Sequence, residues 1–211
     1  QLPRIDVLIN NAGAAFARRE LTVDGMERTF AVNHLAPFLL TNLVLDLIQT
    51  APAGRIVNVT AGIPVPRSSF LDNLQGEKQY GQFRAYRTSK VANTLFTYEL
   101  ARRLEGTGIT VNCTDPGPVR TTFASKAGGA LLLLFKILGP MMKSPEAGAR
   151  TAIYLALDPE VAAITGRYFV KGTPRRSARI TYDRVIAEKL WAISEQLTLS
   201  DRPVSNPYAP G

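Results

Sequence analysis

The chain has 211 residues, 45% of them apolar, and a net charge of +8 from 25 Lys and Arg against 17 Asp and Glu. That apolar share supports a sizeable core and excludes a mainly disordered chain. A single cysteine, Cys113, excludes an internal disulfide and a cysteine-built zinc site, so no metal centre is expected. The apolar run "IDVLIN" (5–10) ends in Asn-Asn-Ala-Gly and predicts a buried parallel strand. Asp24, with Glu27 three residues on, has the form of a capping box opening a helix over 24–49. Met26, Phe30, Leu35, Phe38, Leu39 and Leu43 recur along it at helical spacing, and Pro37 predicts a bend. "GRIVNVTA" (54–61) predicts a second strand, followed by a polar loop over 62–80. Residues 83–106 predict a helix with Val91, Leu95, Phe96 and Leu100 on its apolar face and a Gly stop. A third strand over 108–117 halts at Pro-Gly. An apolar stretch, 128–142, precedes a helix capped by Ser144 with Pro145 at its first position. A fourth strand (166–170), a last helix (182–197) and a loose Pro- and Ser-rich tail (198–211) complete the chain.

Strands alternating with helices indicate βαβ units and a parallel sheet in one α/β domain, 1–197. No apolar run reaches the length of a membrane span, and no basic-then-apolar leader opens the sequence. The basic cluster 171–179 lacks aromatic interleaving and any nucleic-acid motif, so a solvated surface is expected and no nucleic-acid partner. His34 has no partner at a spacing that suggests a catalytic triad.

In an open α/β sheet, ligands bind beyond the carboxyl ends of the strands. Three predicted strands end there in marked residues: "NNAG" (10–13), "VTAG" (59–62) and "DPGPVRT" (115–121). The helix after the second carries Tyr86 and Lys90, four positions apart and therefore on one face. A lysine cation beside a phenol favours the phenolate, so a lowered Tyr86 pKa is expected.

These motifs, in this order, resemble the short-chain dehydrogenase/reductase family, more narrowly its retinol-dehydrogenase-like branch. The resemblance spans about 5–197 and rests on "NNAG", "RIVNV", Tyr-x-x-x-Lys, "ANTLFTYELARRL" and "PGPVRT". It implies a Rossmann-like doubly wound parallel sheet with helices on both faces. It implies NAD or NADP as cofactor and a lipophilic alcohol, ketone or aldehyde as substrate. Tyr86 would be the proton donor or acceptor, Lys90 would also hold the nicotinamide ribose, and Asn33 would support a proton relay. Asn10, Ala12 and Gly13 match the cofactor-side loop. Pro116, Gly117, Val119 and Thr121 match the loop beside the nicotinamide and pyrophosphate.

Two departures stand out. The family's catalytic serine falls at Ala61, which has no hydroxyl. Neighbouring Thr60 has one, but adjacent strand residues face opposite sides, so it serves only if the strand shifts or twists. The glycine-rich phosphate turn is absent, as though the first strands, about 70–90 residues at the size of βαβ units, were missing. The exposed sheet edge this leaves suggests pairing with such a segment, or a homodimer. The stretch 128–142 falls where relatives carry a substrate lid; it suggests a lipophilic substrate and allows contact with a membrane surface. A cytoplasmic location is expected, with peripheral membrane attachment as its variant. Two other readings stay open: acid/base cyclisation or isomerisation by Tyr86 and Lys90 without hydride transfer, and a degenerate, non-catalytic binding partner.

Overall fold

The computed structural model describes residues 3–63, 65–66, 70–120, 139 and 142–199. Five strands form one sheet in the order β1 (Val7–Asn10), β2 (Arg55–Val59), β3 (Thr110–Asp115), β4 (Tyr168–Val170) and β5 (Thr173–Arg175). The first four are parallel, and β5 returns antiparallel along β4. The helices are α1 (Arg28–Gln49), α2 (Gln82–Arg103), α3 (Pro145–Leu157) and α4 (Arg184–Leu199).

Adjacent strand residues point to opposite faces, and both faces are apolar. Ile56 and Val111 meet Phe38 and Leu45 of α1, Leu100 of α2 and Trp191 of α4. Val57 and Phe169 point the other way, onto Ala152, Leu155 and Ala156 of α3. The sheet is thus covered on both sides, as the α/β expectation requires. The Arg103 guanidinium lies 3.9 Å over the Trp191 ring and sheathes this side of the core.

Four local expectations change. The helix begins at Arg28, not at Asp24. Thr22 and Gly25 close a turn, with Gly25 at φ +79, and Leu21 pairs with Glu27 across it. Glu27, fully buried, is the N-cap; its carboxylate accepts from the amides of Thr29 and Phe30. Within the basic cluster lies an unforeseen strand, β5. Lys171 and Gly172, both at positive φ, make the two-residue turn that returns it. Thr198 and Leu199 belong to α4, so the tail begins later than expected, and 200–211 lie outside the described residues. Lastly, α1 is long and apolar enough to cross a membrane, at mean hydropathy 1.4. Its Phe30, Phe38, Leu45 and Ile48 are instead buried in the core.

Candidate active site

Pro37 shapes the site from within α1. It has no N–H, so it cannot bond the carbonyl of Asn33. The helix accommodates this with a π-turn over Ala31–Leu35, in which the Ala36 amide donates to Ala31. The freed Asn33 carbonyl accepts from Asn93 Nδ2 of α2 at 2.7 Å. Thus the predicted bend is a π-turn, and a side chain three residues beyond Lys90 satisfies it.

The Asn33 side chain is committed as well. Its Oδ1 accepts from the Ala14 amide at 2.7 Å, and its Nδ2 donates to the Ala14 carbonyl and to Ser89 Oγ, each at 2.9 Å. Asn33 therefore pins the loop that follows β1. Asn10 is equally occupied, donating to Thr41 Oγ1 at 3.0 Å and Asn58 Oδ1 at 2.8 Å, while Asn58 donates to Thr97. This buried polar chain ties β1, β2, α1 and α2 together. The side chain of Asn10 is structural, and Asn11, Ala12 and Gly13 after it are exposed.

Lys90 is buried at 4% exposure, and its ammonium donates to the Val59 carbonyl at 3.0 Å. A methyl built on Gly13 would stand 3.4 Å from Lys90 Nζ and 3.5 Å from Asn33 Oδ1. Hence Lys90, Gly13 and Asn33 converge from α2, the β1 loop and α1. An ammonium has three donors, so after Val59 two remain for a ligand. This donor set fits the ribose hydroxyls of a nicotinamide cofactor. Burial lowers the Lys90 pKa to about 8, against an opposing pull from Asp115.

Tyr86 is half-buried one turn before Lys90, whose Nζ lies 5.8 Å from its ring centroid. Its phenol is pushed up to about 12, first by burial and then by the Asp115 carboxylate. The expected lowering by Lys90 is overturned: burial raises the phenol, and the Asp115 carboxylate raises it further.

Thr60 does not replace the absent serine in this arrangement. Its hydroxyl is buried, donates to the Lys90 carbonyl at 2.6 Å and meets Thr94 Oγ1 at 3.0 Å. Ala61 is half-buried beside it, as strand alternation dictates. On the far side, Gly117 is at φ +71 and Lys143 Nζ donates to the Pro116 carbonyl at 2.6 Å. Val119 packs on α3, where a methyl at Gly148 would meet it at 2.6 Å. Thr121 lies outside the described residues, as does the stretch 128–142 apart from Gly139 and Met142. Sequence reasoning missed Asn93, Ser89, Asp115 and Tyr168. Two had a local signal: Ser89 directly precedes Lys90, and Asp115 directly precedes Pro116-Gly117.

Comparison with known proteins adds the following. The short chain dehydrogenase family profile matches residues 1–130. Human retinol dehydrogenase 14 is 45% identical over 196 residues, covering 92% of this chain and 58% of that protein. Human polyprenol dehydrogenase is 37% identical over 201 residues, covering 92% and 61%. The crystal structure of an uncharacterized protein from Mycobacterium paratuberculosis superposes at TM-score 0.70 and 31% identity, over 93% of this chain and 68% of that one. Angucycline C-6 ketoreductase LanV, solved with bound NADP, superposes at TM-score 0.55 and 28% identity, over 80% and 62%. The chain spans about three-fifths of the length of the curated relatives it matches.

Proposed function

We propose, for a chain that belongs to the short-chain dehydrogenase/reductase family in its retinol-dehydrogenase-like branch, that it interconverts an alcohol and a ketone or aldehyde on a lipophilic small molecule, with NAD or NADP as partner. The observation that carries this reading is the convergence of Tyr86, Lys90 and Gly13 at the carboxyl end of the sheet. Bound there, the nicotinamide would supply or take the hydride. Lys90, with two donors left after Val59, would hold its ribose. Asn33 and Asn93 keep the loop after β1 in place for it. Tyr86 would give its proton to the carbonyl oxygen in reduction and take it back in oxidation. A phenol held at about 12 is protonated at neutral pH, the state in which it would enter reduction. The names of two relatives, retinol dehydrogenase and polyprenol dehydrogenase, point to long apolar alcohols, and a retinoid or a prenyl alcohol is the substrate class to try first.

Acid/base chemistry without hydride transfer is the second reading. Ala61 favours it, because no hydroxyl at that position holds a substrate oxygen for reduction. Tyr86→Phe tests both. Turnover of retinal, retinol and prenyl alcohols with each nicotinamide should fall by about 10²–10⁴-fold while circular dichroism is unchanged. Activity within about threefold of the parent would remove Tyr86 from the chemistry.

A further inference from the structure

His34 is the only histidine in the chain, and its ring is fully buried. Both ring nitrogens face side chains of other helices. Nδ1 stands 3.1 Å from Asn93 Oδ1 on α2, and Nε2 stands 2.8 Å from Ser194 Oγ on α4. The far end of this chain of bonds decides which nitrogen carries the proton. The Asn33 carbonyl can only accept, so the Asn93 amide must turn its Nδ2 toward it, where it donates at 2.7 Å. That leaves Asn93 Oδ1, which can also only accept, against His34 Nδ1. Nδ1 must therefore be the protonated nitrogen. Burial holds the ring neutral near pH 7, so Nε2 is bare and needs a donor. Ser194 has one hydroxyl proton and two acceptors in reach, His34 Nε2 and the Leu190 carbonyl, each at 2.8 Å. The Leu190 carbonyl is already served by the backbone ladder of α4, whereas a bare Nε2 buried without a donor would forfeit a hydrogen bond. The serine proton thus goes to the histidine.

Every donor then points the same way: the Ser194 hydroxyl to His34, His34 Nδ1–H to Asn93, and Asn93 Nδ2–H to the Asn33 carbonyl. None of the four residues is more than 3% exposed, so bulk water cannot stand in for a missing member. The chain ends on the carbonyl that Pro37 leaves free in the π-turn. The side chain of that same residue, Asn33, holds the amide and the carbonyl of Ala14, next to the Gly13 that faces Lys90 Nζ. We propose that His34 is a positioning residue for the candidate active site: as its Nδ1–H tautomer, anchored by Ser194, it fixes the Asn93 amide and through it the π-turn from which Asn33 holds the loop facing Lys90. It touches neither substrate nor cofactor and moves no proton. The inference rests on reading Gly13, Asn33 and Lys90 as the cofactor side of the site, and it adds α4, through Ser194, to what holds that side in place.

The test needs neither cofactor nor substrate. A neutral histidine side chain free in water carries its proton mainly on Nε2, so the Nδ1–H form is diagnostic of its partners. With one histidine in the 211 residues, nitrogen-15 histidine labelling gives a single pair of ring signals. Near neutral pH the parent should show a protonated Nδ1 and a bare Nε2; a proton on Nε2 overturns the proposal. The second arm reads the loop. Asn93→Asp keeps an acceptor for Nδ1–H and removes the donor to the Asn33 carbonyl. Hydrogen exchange at the Ala14 amide, which donates to Asn33, should then quicken by about tenfold more than at the Cys113 amide within the sheet. If Asn93→Asp does not fold, Ser194→Ala removes only the end donor and should quicken Ala14 over Cys113 by about threefold. Equal exchange changes at the two amides, including no change at either, would leave His34 a core residue without a positioning role and overturn the proposal. A parent with the Nδ1 proton and the local Ala14 response, but without hydride transfer, keeps this inference and loses the redox reading.

Discussion

At position 61 a methyl group stands where carbonyl reduction wants a hydroxyl. Its neighbours cannot supply one: the Thr60 hydroxyl is turned into the core onto the Lys90 carbonyl, and Gly62 has no side chain. A lost donor at an oxyanion costs about 10²–10³ in rate. Ala61→Ser should accordingly raise carbonyl reduction about tenfold or more, provided the serine finds the substrate oxygen. Rates on a panel of lipophilic ketones and aldehydes check this. No gain on any of them would favour the acid/base reading, in which position 61 has no oxygen to hold. Tyr86, Lys90 and Ala61 were legible beforehand because one turn of helix and one strand alternation fix their relations. The web around them was not. Asn33 meets Ala14 and Ser89, and Asp115 meets Gly62 and Tyr168, across 19, 56 and 53 positions of chain. Such pairs leave no local period to read. The direction of the Tyr86 shift was missed for the same reason: it depends on burial and on an anion from another strand.

Helices α1, α2 and α4 meet through His34. The ring nitrogens reach Asn93 Oδ1 at 3.1 Å and Ser194 Oγ at 2.8 Å, with Phe30, Phe38 and Phe96 around the ring. Burial lowers the pKa from 6.5 to about 4, partly offset by the Asn93 bond. In the unfolded chain His34 takes a proton near pH 6.5, and in the folded one it does not until about pH 4. The neutral ring therefore carries no penalty above about pH 6.5. Stability then falls with pH through that window, toward a loss of roughly 3 kcal/mol at pH 4. His34→Gln should be less stable than the parent at pH 7, yet lose less on going to pH 5. Urea unfolding at both values checks it; equal pH slopes in the two proteins would place the acid sensitivity elsewhere. Element by element, the periodicity of 3.6 found α1 and α2 and the buried face of α2, and Ser144-Pro145 marked the start of α3. On α1 it held for Phe30, Leu35 and Phe38, but not for Leu43, which is exposed, or Met26, which precedes the helix. What it missed has local causes. Asp24 and Glu27 both look like caps, and the turn at Gly25 decides between them. In β5 the three residues Thr-Pro-Arg are all exposed, so no apolar alternation announces the strand.

The sheet as a whole ends at β1, which pairs only with β2 among the described residues. Its Ile9 is 42% exposed, and the helices on its two faces leave Leu40, Leu43, Ile153 and Leu157 open to solvent. An unpaired parallel edge with apolar flanks favours association. Residues 1–211, as a free-standing chain, should therefore self-associate, or bind a segment that adds strands beside β1; gel filtration with light scattering distinguishes this from a stable monomer. Cofactor affinity should follow the same geometry. A dinucleotide is gripped largely through its pyrophosphate, on a glycine-rich turn at a helix N-terminus. No turn of that kind occurs in the 211 residues. The groups gathered at the carboxyl ends of β1, β2 and β3 are Gly13, Lys90 and the Pro116-Gly117 turn, and they suit the nicotinamide side. Calorimetric titration of residues 1–211 should thus give NADH and NADPH dissociation constants no tighter than about 100 μM, near −5.5 kcal/mol. The same titration with a relative's glycine-turn segment supplied beside β1 should tighten binding by about tenfold or more. Low-micromolar binding by the 211 residues alone would mean that the phosphates are held elsewhere, with Lys143 and Arg120 beyond β3 the first cations to replace. If the added segment restores the monomer but not the affinity, the edge is a strand-pairing surface only, and the acid/base reading of Tyr86 and Lys90 takes precedence over hydride transfer.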